Sequence, residues 1–326
     1  MQWLEDVFSA AQQWLFETLM QPAMFALGLG QLLEDGYAAS GWLLVGLLQI
    51  AVLVALVGPL QRWRPVEPVT DRATIRTDIL YTVIHRLGLF RVGLFFLVDP
   101  LFDELFGALH VAGFATFHMD QLWPGVTDHA VVSFILYLVV FDFVDYWMHR
   151  AQHGLNWWWS LHSLHHAQQQ MTMWSDNRNH LLDDLLRDSL LVLLAQVIGV
   201  APGQFVAIVA ITQLSESLQH ANLRLWFGRV GERLWISPRF HRLHHSVGIG
   251  HESNGPRPTP TGRSEATGGH NFGVLLPWWD MLFRTSNFEQ RYDPTGVRDQ
   301  VEQGRDYGRG FWSQQWQGLK RLAGKA

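Results

Sequence analysis

Histidine is the residue type this sequence concentrates. His149 and His153 stand four apart in MHRAQH, and His162, His165 and His166 follow in LHSLHH. On a helix the first pair projects from one face, and the i, i+3, i+4 spacing of the second group makes another stripe. RFHRLHHS at 239–246 repeats that spacing with His241, His244 and His245, and His220 lies between in ESLQHANLRL. Neutral imidazole is a good ligand for iron, zinc or copper. A lone buried histidine is ordinarily a satisfied core residue, but five within eighteen residues, in two helical spacings, are not explained that way. Two, three, one and three make nine candidate ligands. Two metals of four or five ligands each use that number, whereas one tetrahedral zinc leaves most of them idle. The count favours a binuclear site.

Carboxylates accompany the histidines. Asp145, at i−4 to His149, is placed to accept its second ring N–H and fix the tautomer. Asp142, bracketed by Phe141, Phe143 and Val144, does not read as a surface acid. Glu216 is i−4 to His220 and could ligate metal, hold the ring, or be an ordinary solvated acid. Asp145, Glu216 and Asn271 are therefore catalytic candidates. His180, His270 and Asp142 are further ligands or groups behind the ligands. His251-Glu252 does not complete a zinc-protease motif, because Gly255 occupies the second histidine position. With no cysteine, disulfides, iron–sulfur clusters and thiolate catalysis are excluded.

The elements that carry these residues are apolar. The 326 residues are 48% hydrophobic and 16% charged, against a usual charged fraction of about 25%, and include 16 Trp and 20 Phe. That balance points to an integral membrane protein, and a net charge of −5 argues against a nucleic-acid partner. The start of the chain lacks the positive region of a cleavable signal peptide. Residues 1–40 read as an interfacial amphipathic helix or a short span broken near Pro22 and Gly28. Residues 41–60 carry no charge and suffice to cross about 30 Å of hydrocarbon. No Lys or Arg precedes Arg62, while Arg62, Arg64, Arg72 and Arg76 follow, so the N-terminus is expected outside and 62–76 in the cytoplasm.

A second apolar segment, 79–102, contains His85, Arg86, Arg91 and Asp99. His85 and Arg86 either approach the metal site or substrate entrance, or snorkel at the cytoplasmic end. Residues 130–147 return to the cytoplasm and deliver His149 and His153. Trp157, Trp158 and Trp159 read as interfacial anchors more than as substrate contacts. Runs at 185–200 and 205–218, separated by Ala201-Pro202-Gly203, read as a helical hairpin with both ends cytoplasmic. Arg224, Arg229, Arg233, Arg239 and Arg242 surround the third histidine group. Residues 247–269 read as a Gly/Pro/Thr-rich lid, and Trp312, Trp316 and Leu319 as one face of a tail helix on the membrane surface. The expectation is an all-α membrane bundle of about four transmembrane helices, some re-entrant, with a cytoplasmic helical cap holding the metal site. Residues 1–74 anchor it, 75–290 catalyse, and 291–326 form an amphipathic tail.

HRAQH at 149–153, HSLHH at 162–166 and HRLHH at 241–245, with DFVDYWMHR, PRFHRLHHS and NFGVLLPWWDMLF, form a three-histidine-box pattern. Over roughly residues 75–290 the chain resembles the fatty acid hydroxylase/sterol desaturase superfamily of integral-membrane di-iron enzymes. The resemblance implies two iron ions on His149, His153, His162, His165, His166, His220, His241, His244 and His245. It also implies dioxygen as oxidant and hydroxylation or desaturation of a membrane lipid, a fatty acyl chain or a sterol-like molecule. Arg284-Thr285 after WWDMLF departs from the pattern, where glycine is usual, as does the long loop before His270. Without a GxGxxG or CxxCH motif, electrons are expected from an external reductase, ferredoxin or haem carrier. The competing readings are a histidine-rich membrane metal-binding or transport protein and a catalytically inactive relative.

Overall fold

The structure is a computed structural model that describes residues 2–247 and 269–325. The lid expected at 247–269 lies almost wholly outside the described residues. Those residues form helices, turns and one isolated β-bridge, Ser246 to Thr295.

Helix α1 (Gln2–Leu15) runs through a π-helical turn into α2 (Gln21–Ala26), and the chain breaks at Gly28, whose φ of 73° suits a residue without Cβ. α3 (Leu33–Val52) continues through a second π turn into α4 (Gly58–Trp63). The combined apolar stretch is Gly30–Trp63, 34 residues. At 1.5 Å per residue that is about 50 Å, so it crosses a bilayer core only when tilted.

α5 (Arg72–Arg86) starts at Asp71, whose carboxylate accepts from Thr74 N at 3.0 Å. It is followed by α6 (Leu89–Leu97) and α7 (Asp99–Val111). The segment expected to span at 79–102 is therefore cut twice, at Gly88 (φ 78°) and at Asp99-Pro100. α8 (Ala130–Gly154) is the other helix long and apolar enough to cross. α9 (Asn156–His166) follows, then α10 (Leu181–Ile198) and α11 (Pro202–His220), which turn at Gly199. α10 places Asp183, Asp184, Arg187 and Asp188 in its first turns, so it fails as a span by composition. The expected four spans are thus two among the described residues. The cap comprises α12 (Gly228–Gly231), α13 (Pro238–His244), α14 (Trp278–Leu282), α15 (Arg298–Gln303) and α16 (Phe311–Leu322).

Beside its apolar core clusters, the described part of the molecule buries many polar and charged side chains and exposes many large apolar ones. Leu47, Leu48, Val54 and Leu56 face outward. Arg86, by contrast, is buried and donates to Asp176 at 2.7 Å, Ser217 at 2.9 Å and Gln213. Arg178 donates to buried Asp78 at 2.5 Å, and Arg239 is bound to Glu232. Arg86 therefore does not snorkel. α3 lies so close to α5 at Gly46 that a Cβ there would stand 1.6 Å from the Arg86 carbonyl oxygen. The tail helix α16 turns its polar side inward: Gln315 donates to Tyr81 Oη and Asn179 O and accepts from Leu181 N. Trp312 and Trp316 remain exposed.

Candidate metal centre

Helical spacing puts His149 and His153 on one face of α8, and α9 packs against that face. Four buried rings, His149, His153, His162 and His166, bring ligand atoms within 4.8 Å of one another. His244, from α13, stands beside this set, with ring centroids 4.5 Å from His149 and 4.7 Å from both His153 and His166. A second buried set comprises His165 from α9, His220 at the end of α11, and His241 and His245 from α13 and its cap. His166, His244 and His245 form a third group on the border between the two, and the His166 and His245 rings stack at 4.3 Å. All nine candidate ligands lie in this one cluster.

In four of the nine rings the second nitrogen fixes how the ring points. His149 Nδ1 lies 2.8 Å from the Phe272 carbonyl, His244 Nδ1 2.7 Å from that of His270, and His220 Nδ1 2.8 Å from that of Glu216. His162 Nδ1 meets Asp183 Oδ2 at 3.0 Å. Each contact assigns a proton to Nδ1 and leaves Nε2 with its lone pair, the state a metal requires. The buried Nε2 atoms of His149 and His162 have no hydrogen-bond partner. In the second set, Nε2 of His220 is 3.1 Å from Nε2 of both His165 and His241, and His245 Nε2 is 3.1 Å from His241 Nε2. Two nitrogens on one ion at about 2.1 Å stand about 3.0–3.4 Å apart for right-angled to tetrahedral arrangements. The donors fit a metal in both sets. Burial, with the neighbouring imidazoles, also pushes His165, His241 and His245 well below the ordinary histidine range, so these rings are neutral at pH 7.

The carboxylates lie elsewhere than i−4 spacing implies. Asp145 accepts from Arg187 Nε at 3.1 Å, not from His149. Glu216 meets the same arginine at 3.4 Å, and only its backbone carbonyl holds His220. Asp142 clamps the loop after Phe272, accepting from Leu275 N at 2.7 Å, Leu276 N at 3.2 Å and Trp279 Nε1 at 2.9 Å. Asn271, at φ 63°, secures a turn through Phe240 O and Asn287. His180 caps α10 and reaches Gln315 O, outside the cluster, and His270 contributes its carbonyl.

The residue that sequence reasoning missed is Asp183. Buried in the first turn of α10, it accepts from Gln152 at 2.8 Å, Trp158 Nε1 at 2.6 Å and His162. Burial pushes its carboxyl up, but these hydrogen bonds outweigh that and hold it below the usual range. Its position just after His180, in HLLDDLL, was the available signal. Trp158 and Trp159 are accordingly buried, so of the three tryptophans only Trp157 is exposed. Of the five arginines around the third histidine group, Arg239 and Arg242 are buried against Glu232 and Glu67, and Arg224, Arg229 and Arg233 are exposed.

Beside the cluster lies a chamber of about 830 Å³ counting its open mouth, bordered by His149, His162, His165, His220 and His241. It meets a more apolar cavity of about 560 Å³, which touches no histidine.

Residues 134–285 match the family described as fatty acid hydroxylase. The chain is 26% identical over 257 residues to the ornithine lipid hydroxylase OlsE of Rhizobium tropici, covering 77% of this chain and 70% of that one. It is 24% identical over 165 residues to the alkylglycerol monooxygenase of Caenorhabditis elegans, covering 50% of this chain and 28% of the worm protein. No solved structure matches the chain.

Proposed function

Because the chain belongs to the fatty acid hydroxylase/sterol desaturase superfamily, we propose that it is a membrane-bound di-iron enzyme that hydroxylates a lipid. The observation that carries this reading is the convergence of nine buried imidazoles into two adjoining sets, with Nδ1 of His149, His162, His220 and His244 held from outside. His149, His153, His162 and His166, with His244 beside them, hold one ion. His165, His220, His241 and His245 hold the other. Bound iron supplies the oxidising power, drawn from dioxygen, to break an unactivated C–H bond, which no side chain possesses.

The chain's own residues prepare that chemistry. Carbonyls of Phe272, His270 and Glu216 and the Asp183 carboxylate orient His149, His244, His220 and His162, and burial keeps His165, His241 and His245 neutral. Nitrogen donors withstand an oxidant that would consume thiolates. In the overall reaction one oxygen atom enters the C–H bond. The other leaves as water with two electrons and two protons. The electrons come from an external reduced carrier, which docks on the cytoplasmic face near exposed Arg224, Arg229 and Arg233. The arginines from 62 to 76 favour a cytoplasmic position for that face and for the metal site. The relatives are named a hydroxylase and a monooxygenase, which favours hydroxylation over desaturation.

The test is lipid mass spectrometry of host membranes grown in labelled dioxygen, expressing the wild type or His165→Ala/His166→Ala. A wild-type-only lipid carrying the label supports hydroxylation. An unlabelled lipid two hydrogens lighter assigns desaturation. No change, with iron bound and a reductase supplied, overturns the enzyme assignment.

A further inference from the structure

Asp183 holds His162, and two exposed aromatic positions are tied to that one carboxylate. The first is Trp157. Its ring stacks on that of Trp158, with centroids 5.2 Å apart and planes 11° from parallel. The Trp158 indole in turn donates to Asp183 Oδ1 at 2.6 Å. Trp157 stands at the start of α9, just past Gly154, where the spanning helix α8 ends.

The second position lies on α16. Trp312, Trp316 and Leu319 recur at four- and three-residue steps, so they form one stripe, and all three are exposed. The buried face carries Gln315. Its side chain accepts from Leu181 N at 2.9 Å and donates to Asn179 O at 3.0 Å and Tyr81 Oη at 2.9 Å. Its carbonyl accepts from His180 Nε2 at 2.9 Å, while His180 Nδ1 accepts from Leu182 N and caps α10. The contact is close: a Cβ at Gly318 would stand 2.2 Å from the His180 ring. One residue on, the His180 carbonyl accepts from Asp183 N at 2.8 Å. Arg321, near the other end of α16, donates through Nε to Ser160 O at 3.0 Å. α16 therefore grips both α9, which supplies His162, and the first turn of α10, which supplies Asp183.

Resting on the reading of His162 as a metal ligand given above, we propose that the outer stripe of α16, with Trp157, docks on the headgroup layer of the bilayer, and that this contact positions Asp183 against His162. Tryptophan suits such a layer, with an apolar body and one polar N–H. Continuity with α8 favours lipid over a protein partner as the occupant, because α9 begins where that helix leaves the bilayer and α16 packs along α9. Gln315 and His180 are positioning residues. Without the lipid contact, the first turn of α10 loses its hold, Asp183 shifts from His162 Nδ1, and that ring no longer aims Nε2 at the ion of the His149 set. The His165 set is oriented from elsewhere, His220 by the Glu216 carbonyl.

The experiment uses the full chain in lipid nanodiscs. The sequence has no cysteine, so Trp316→Cys gives a single site for a nitroxide label. The expected label is reached by dissolved oxygen and screened from an aqueous nickel chelate. A label open to nickel overturns the docking surface, and so does one screened from both, the result of a second protein copy on this face. Hydrogen exchange is then followed at amides 181–184, each held by Gln315 or His180, and zinc affinity is titrated at the two sets. In Trp157→Gln/Trp312→Gln/Trp316→Gln, exchange should quicken about tenfold and zinc affinity at the His149 set fall about tenfold, with the His165 set unchanged. Phenylalanine at the same three positions should restore both. Gly318→Ala, which displaces His180 and leaves the stripe intact, should give the same two losses with the label still immersed. Wild-type exchange and affinity in the glutamine variant overturn the coupling, as does equal weakening of both sets. Quickened exchange in that variant, with no zinc bound at either set of the wild type, supports the clamp and defeats the metal reading instead.

Discussion

Asp183 Oδ2 stands 3.0 Å from His162 Nδ1, and the same carboxylate also receives the Trp158 indole and the Gln152 amide. One acid from α10 thereby fixes a ring on α9, a residue on α8 and the tryptophan that closes the first turn of α9. Replacing it by asparagine keeps the volume and removes the charge that steadies the Nδ1 proton. Asp183→Asn should weaken metal binding at the His149 set about 10- to 100-fold and leave the His165 set near wild type. Competition titrations with a chromophoric chelator would resolve the two affinities. Equal weakening of both would show that the aspartate acts on the fold at large.

The two sets share no member, although three of their rings meet on the border. His162→Ala and His241→Ala should therefore each reduce bound iron from two ions per chain towards one. Elemental analysis of purified protein provides the count. Retention of two ions by both variants would contradict the ligand sets.

Removing the metal should expose a pH dependence. Burial depresses His165, His241 and His245 in the folded state, whereas the unfolded chain protonates near the ordinary value of about 6.5. As pH falls below that value the unfolded state binds protons that the folded state refuses, so stability falls. Above it the contribution is constant. Melts of chelator-treated protein should be level from pH 8 to about 7 and drop steadily toward pH 5.5. A melting temperature that rises on acidification would reverse the assignment.

Arg86 and Asp176 test the polar interior. Leaving one buried charge without the other costs about 3–5 kcal/mol, while replacing both by apolar residues costs less. Arg86→Met and Asp176→Leu should each lower the melting temperature sharply, and the double variant should recover part of the loss. Additive losses in the cycle would mean the pair is not coupled.

Gly46 fixes the approach of α3 to α5. An alanine Cβ placed 1.6 Å from the Arg86 carbonyl oxygen forces the helices apart, at a cost of about 1–3 kcal/mol or more. Gly46→Ala should lower thermal stability in detergent while Gly93→Ala, where nothing lies within 4 Å, should not. Equal melts for the two would show that α3 is free to shift.

What was legible in the sequence follows from range. The histidine stripes are local, so helical spacing alone sorts their faces. The partners of the outer ring nitrogens are not: the Phe272 carbonyl lies 123 residues from His149, and a backbone oxygen has no signature in residue type. Asp145 stands i−4 to His149, but Arg187 from α10 offers a full charge and wins. The number of spans was overestimated because apolar runs were counted without the breaks at Gly88 and Asp99-Pro100. The charges on α10 face inward, where hydropathy counts them as if they met lipid. Missing Asp183 had the same origin, since only tertiary packing distinguishes it from Asp184.

His165 and His166 are consecutive, and so are His244 and His245, yet on the assignment proposed above the rings of each pair would serve different ion sites. The distance between those sites is therefore written into the rotation of one residue along a helix, not into any loop. Both ions, when present, rivet α8, α9, α11 and α13 together at a single point. On the di-iron reading proposed above, such a rivet would make iron a structural component. A cell short of the metal would hold this chain as a loosened and readily degraded protein, so its abundance would follow iron supply before any change in gene expression.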